Sequence, residues 1–128
     1  MSKGDRRADF MKAFSEKEQI TGFAAIDTLG KAHMMVDRGM LEPLYLHGLR
    51  FGGTESPENR VYVPIGIARL KDQKDDEIEK LMKEGKIKDY KCTPKYKNMS
   101  RVPYEIEISA CSAENDQEIV YSQTISIW

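Results

Sequence analysis

Residues 41–70, LEPLYLHGLRFGGTESPENRVYVPIGIARL, constrain the fold more than any other stretch, because two apolar runs flank a centre of turn-forming residues. Residues 44–51 and 61–67 are rich in bulky apolar and aromatic side chains. Gly52, Gly53, Ser56, Pro57 and Asn59 between them accept turn geometry, so the stretch predicts an antiparallel β-hairpin. Pro64 has no N–H to give a ladder, which places the second arm at a sheet edge or a bulge. Glu55 and Glu58 sit in a connection longer than hairpin closure requires, where binding residues tend to collect on a rigid scaffold. The stretch holds no nucleophile with a base beside it, no metal-ligand spacing and no phosphate-cradling glycine motif.

The rest of the chain adds helices and a second hairpin. Residues 72–87 read as the most secure helix: Asp72 or Asp75 can cap it, Asp75, Asp76 and Glu77 complement its positive end, and Ile78, Leu81 and Met82 form the apolar stripe. Lys80, Lys83 and Lys86 fall late, and Gly85 suits the stop. Tyr104, Ile106, Ile108 and Ala110 alternate with Glu105, Glu107 and Ser109, and Ile119, Tyr121, Ile125 and Ile127 alternate with polar residues after a turn at 112–117. Trp128 is expected to tuck its ring against that sheet. Phe10, Met11 and Phe14 predict a short amphipathic helix over residues 5–18, which must dock on the body or on another chain to persist. Residues 20–40 fit a helix by the spacing of Ile20, Phe23, Ile26 and Leu29, and fit two strands by Gly22, Thr28 and Gly30; we take the strands. With 128 residues, one domain is expected, burying roughly two thirds of the surface of the unfolded chain. The expected class is α+β, a mostly antiparallel sheet of four to six strands with about two helices on one face.

Charge narrows the function classes. The net charge is −1, which gives no bulk attraction to nucleic acid or acidic lipid. Residues 72–79 carry five acids and one lysine, residues 86–101 six basic residues and one acid, and residues 102–128 five acids and no lysine or arginine. Such alternation is the pattern either of complementarity within the fold or of a surface patch meant for a charged partner, and we take the first. Tyr90 and Tyr96 among the lysines could stack bases, but the balance of charge sets nucleic acid aside. No apolar run approaches the ~18 residues that span a bilayer, and the basic N-terminus has no apolar region behind it, so a cytoplasmic location is expected. Cys92 and Cys111 are expected to be free thiols, Cys92 with lysine neighbours able to lower its pKa. His33 beside Met34 and Met35 lacks a second metal ligand at helical spacing, and His47 lacks a visible nucleophile, so no metal, cofactor or catalytic set is assigned.

The segment PLYLHGLRFGGTESPENRVYVPIGIA resembles small bacterial immunity proteins associated with polymorphic toxin systems. The likeness rests on Phe51-Gly52-Gly53, on Pro57 with Asn59, and on Val61-Tyr62-Val63-Pro64, followed by a charged helix, a Pro-Lys-Tyr-Lys stretch and a terminal hairpin. What it implies is a stoichiometric blocker of a protein partner, such as a toxin domain, with no catalytic residues carried over. Glu55, Glu58, Asp75, Asp76 and Glu79 are then the expected partner-binding residues, facing a basic partner. The competing class is an enzyme or small-ligand binder in which His33, His47, Cys92 or Cys111 converge in the fold.

Overall fold

The computed structural model describes residues 22–128; the helix expected over residues 5–18 lies outside them. The central hairpin is present with shorter arms than the apolar runs. β1 (Leu41–Tyr45) pairs antiparallel with β2 (Arg60–Pro64), from Leu41 opposite Pro64 to Tyr45 opposite Arg60. The runs look longer because they continue into other elements: Leu49–Phe51 is a 3-10 turn closed by Gly52 at φ 88°, and Ile67 opens a helix. Both faces of the hairpin are covered, which explains its lack of clean alternation. Leu44, Val61 and Val63 enter the main core, while Leu41 and Tyr62 join a second cluster around Ile26, Ala32, Met35 and Val102.

The strands expected within residues 20–40 are instead a 3-10 turn, Gly22–Ala25, and a helix, α1 (Leu29–Asp37). Thr28 is its N-cap, its hydroxyl accepting from Lys31 N at 3.1 Å, and Ala32 and Met35 turn one buried face to the second cluster. Gly39 at φ 75° ends it, with Gly39 N bonded to Val36 O and Met40 N to Met35 O.

The main helix, α2 (Ile67–Lys83), begins five residues earlier than expected, and neither Asp72 nor Asp75 caps it. Gly66, at φ 104°, stands at the N-cap without a side chain, and the vacancy is filled from β1: Glu42 Oε2 accepts from Gly66 N at 2.7 Å and Ala68 N at 3.3 Å. The stripe is as read, Ile78 fully buried with Leu81 and Met82 packed beside it, but the helix ends at Lys83 and not at residue 87, because Gly85 at φ 73° stops it, the amides of Gly85 and Lys86 returning to Met82 O and Leu81 O.

β3 (Lys91–Lys95), β4 (Glu105–Cys111) and β5 (Ile119–Ser126) form an antiparallel sheet in that order. Ile106, Ile108, Ala110 and Ile125 supply its buried face; Ile119, expected inside, is 64% exposed because the register slips at Ala110/Cys111. The class is α+β, but the strands form two sheets, of two and three strands, where one was expected. Proline supplies a physical reason. Pro43, Pro64 and Pro94 lie in β1, β2 and β3, where each removes a donor that joining the sheets edge to edge would need. Trp128 packs on the second cluster, its Nε1 donating to Val102 O at 2.9 Å.

Candidate functional site

Three separate segments meet around a groove of about 590 Å³: the start of α1, the start of β2, and the loop at residues 96–101. Leu29 and His33, four apart on α1, share one face. His33 Nε2 lies 3.0 Å from Tyr62 Oη on β2, the rings edge-on with centroids 5.2 Å apart. Arg60 lies 6.0 Å from the Tyr62 ring centroid and donates to Glu55 O at 3.3 Å.

The third wall is a tight turn. Ser100 N bonds to Lys97 O, and the two central residues, Asn98 and Met99, have φ 55° and 63°, the signature of a type I′ turn. Asparagine tolerates that region, whereas a long side chain there costs roughly 1–2 kcal/mol. Met99 is nevertheless 86% exposed. The turn is anchored below: Ser100 Oγ donates to Phe23 O at 2.7 Å, Arg101 N donates to Ile26 O at 2.7 Å, and Lys97 Nζ sits 4.7 Å from the Trp128 ring centroid. Leu29, Tyr96 and Met99 are all large, exposed and on this groove.

Among the described residues the charged lining of the groove is Arg60, Arg101 and one acid, Asp27, which is bound by Lys31 Nζ at 2.8 Å, a contact that holds its carboxyl below the usual range. Among the described residues, Arg60 and Arg101 have no carboxylate partner.

The acidic residues singled out in the sequence do not share a surface of one kind. Glu55 and Glu58 are exposed on the connection between β1 and β2, the Glu58 carboxyl held low by its own amide and the Ser56 hydroxyl. That connection is tied down by Asn59, whose side chain bonds His47 N and O and Thr54 O at 2.7–2.8 Å. Asp76 and Glu79 lie on α2 beside Arg50, at 2.7 and 3.7 Å, with Asp72 at 2.6 Å completing the cluster. Asp75 cannot face a partner, being 5% exposed.

Asp75 instead belongs to a buried polar knot. Lys71 Nζ donates to both of its oxygens at 2.8 Å and lies 3.4 Å from Tyr90 Oη, which accepts from Gly48 N at 2.7 Å and donates to Leu46 O at 3.3 Å. Burial, opposed by Lys71, raises the Asp75 carboxyl above its ordinary value. His47 stacks on Tyr90 with centroids 5.1 Å apart. Cys92 borders the same knot, and burial pushes its thiol up to about 11, the reverse of the lowering expected from its lysine neighbours. Lys91 and Lys95 flank it on an extended strand, and Lys95 pairs instead with Glu107 at 2.7 Å and Glu105 at 3.9 Å. Cys92 and Cys111 are both free.

Of the four residues proposed to converge, only His33 is in the groove. Among the described residues no group of three or more His, Cys, Asp or Glu could hold a metal, and no helix is long and apolar enough to cross a membrane. Sequence reading missed Arg60, Tyr62, Met99 and Arg101; the Asn98-Met99-Ser100 run, with asparagine at a turn position, was the available signal. No family model, no curated protein and no solved structure matches this chain.

Proposed function

We propose that this chain is a binding module that seats an acidic segment of a protein partner, bearing a large apolar side chain, in the groove between α1, β2 and the 96–101 turn. Met99 is the observation that carries the reading. A methionine held in the left-handed region and 86% exposed gives up stability that the usual Asn-Gly turn would keep, and such strain collects where a side chain is presented for use. Leu29 and Tyr96 extend the apolar floor, and Arg60 and Arg101, which have no carboxylate partner among the described residues, favour a carboxylate-bearing occupant. The immunity-type form of this reading makes the partner a toxin domain met in the cytoplasm. A second reading, a small anionic ligand held by His33, Tyr62 and the arginines, draws on a groove volume within the usual ligand range.

The test is a peptide-display selection on the full chain, with the enriched peptides mapped by NMR. Acidic peptides with one large apolar residue, shifting the signals of Leu29, Tyr96 and Met99 and lost in Arg101→Glu, are expected. Met99→Gly should stabilise the fold by roughly 1 kcal/mol while weakening the same peptides, because it removes strain and contact together. Selected peptides that are neutral or basic, or that map away from the groove, would refute the reading.

A further inference from the structure

Among the described residues, proline marks three of the four outer strand edges and is missing from the fourth. β1 carries Pro43, β2 carries Pro64, and β3 carries Pro94 between Lys91 and Lys95. β5, IVYSQTIS, has neither proline nor a charged residue over its eight positions. Among the described residues its backbone ladder runs to β4 alone, in unbroken register from Tyr121 to Ser126. Only its first end is bulged, and there Ile119 and Val120 are 64% and 41% exposed. Outer strands present unpaired N–H and C=O groups to any extended chain, and proteins blunt them with proline, lysine or bulges. Here the blunting is applied everywhere except along β5.

We propose that β5 is a self-association edge: two copies of this chain pair β5 with β5, antiparallel about a twofold axis, to make one sheet in the order β3-β4-β5-β5-β4-β3. The occupant is a second copy for two reasons. An uncharged strand set against itself places no like charges opposite one another, and its Ser, Thr and Gln side chains can bond across the seam. With the other three edges closed by proline, each copy offers one acceptor edge among the described residues, so pairing ends at two and does not propagate into a filament. Exposed Ile119 and Val120 gain cover as the edges meet. No β5 residue lines the α1–β2 groove, so the inference stands apart from the proposed function.

The experiment is light scattering on the full chain across a concentration series. A mass rising from 14.7 kDa towards twice that value, and no further, is expected. Thr124→Lys, a charge on the exposed edge, should raise the dimer dissociation constant by about tenfold or more, while Thr93→Lys on β3 leaves it unchanged. Hydrogen exchange on the unmodified chain guards against a variant that misfolds: amides within residues 119–126 should gain protection as concentration rises. A monomer at millimolar concentration, growth beyond a dimer, or a dimer without concentration-dependent protection in β5 would overturn the proposal.

Discussion

Replacing the Lys71–Asp75 pair should separate what a buried charge pair contributes from what its absence costs. The two side chains are 3% and 7% exposed and 2.8 Å apart. At an effective dielectric near 20 their attraction is about 6 kcal/mol, comparable to the several kcal/mol that each ion loses on leaving water. The pair as a whole therefore adds little, yet either ion alone bears its full desolvation. Lys71→Met or Asp75→Leu should each cost about 3–5 kcal/mol at neutral pH, and the double variant should lie within about 1 kcal/mol of the parent. Leucine branches where the carboxylate does, and Tyr90 Oη keeps Gly48 N and Leu46 O as partners, so the double variant leaves no orphaned polar group at the knot. The pH dependence has a definite sign. Burial already raises the Asp75 carboxyl, and without Lys71 it rises further, so folding favours the protonated acid. Lys71→Met should accordingly be least destabilised in acid, below the unfolded carboxylate pKa, and lose stability as pH climbs through the folded value. Urea melts at several pH values give all four corners of the cycle. A double variant as costly as the two singles summed would refute the reasoning.

Two further outcomes are expected. Glu42→Ala removes the acceptor at the start of α2 and should cost about 1 kcal/mol in a urea melt; a change below roughly 0.3 kcal/mol would show that water replaces it fully. Cys92 should alkylate slowly in the folded protein, with a rate still climbing above about pH 10, and reach the ordinary thiol rate once unfolded; a midpoint below about pH 9 in the folded state would contradict the burial argument.

The readable parts of this fold were those whose pattern is local. β4 was legible because Ile106, Ile108 and Ala110 alternate with polar residues, and the stop of α2 was legible from Gly85, although the helix was read on to residue 87. The unreadable parts depend on distant residues. Asp72, Asp75 and Asp76 resembled a helix start, but they lie within α2, where Arg50 from the 3-10 turn binds Asp72 and Asp76, and Lys71 binds Asp75. β3 went unread as a strand because Lys91, Pro94 and Lys95 hide its pattern and its acidic complement is ten or more residues away. The groove draws on three segments from residues 27 to 101, so spacing within any one of them could not reveal it.

The cap supplied by Glu42 also orders events as the chain folds. A helix with its own Ser, Thr or Asp at the start can nucleate by itself, whereas α2 begins at a glycine and borrows its acceptor from 24 residues upstream. Its first turn is complete only after that loop has closed, and closure draws on chain entropy that local helix formation does not spend. The C-terminal part of α2, with Ile78, Leu81, Met82 and the Gly85 stop, has no such dependence. The helix should therefore grow backwards, from its end towards the hairpin, so that removing the Glu42 carboxylate accelerates unfolding far more than it slows folding.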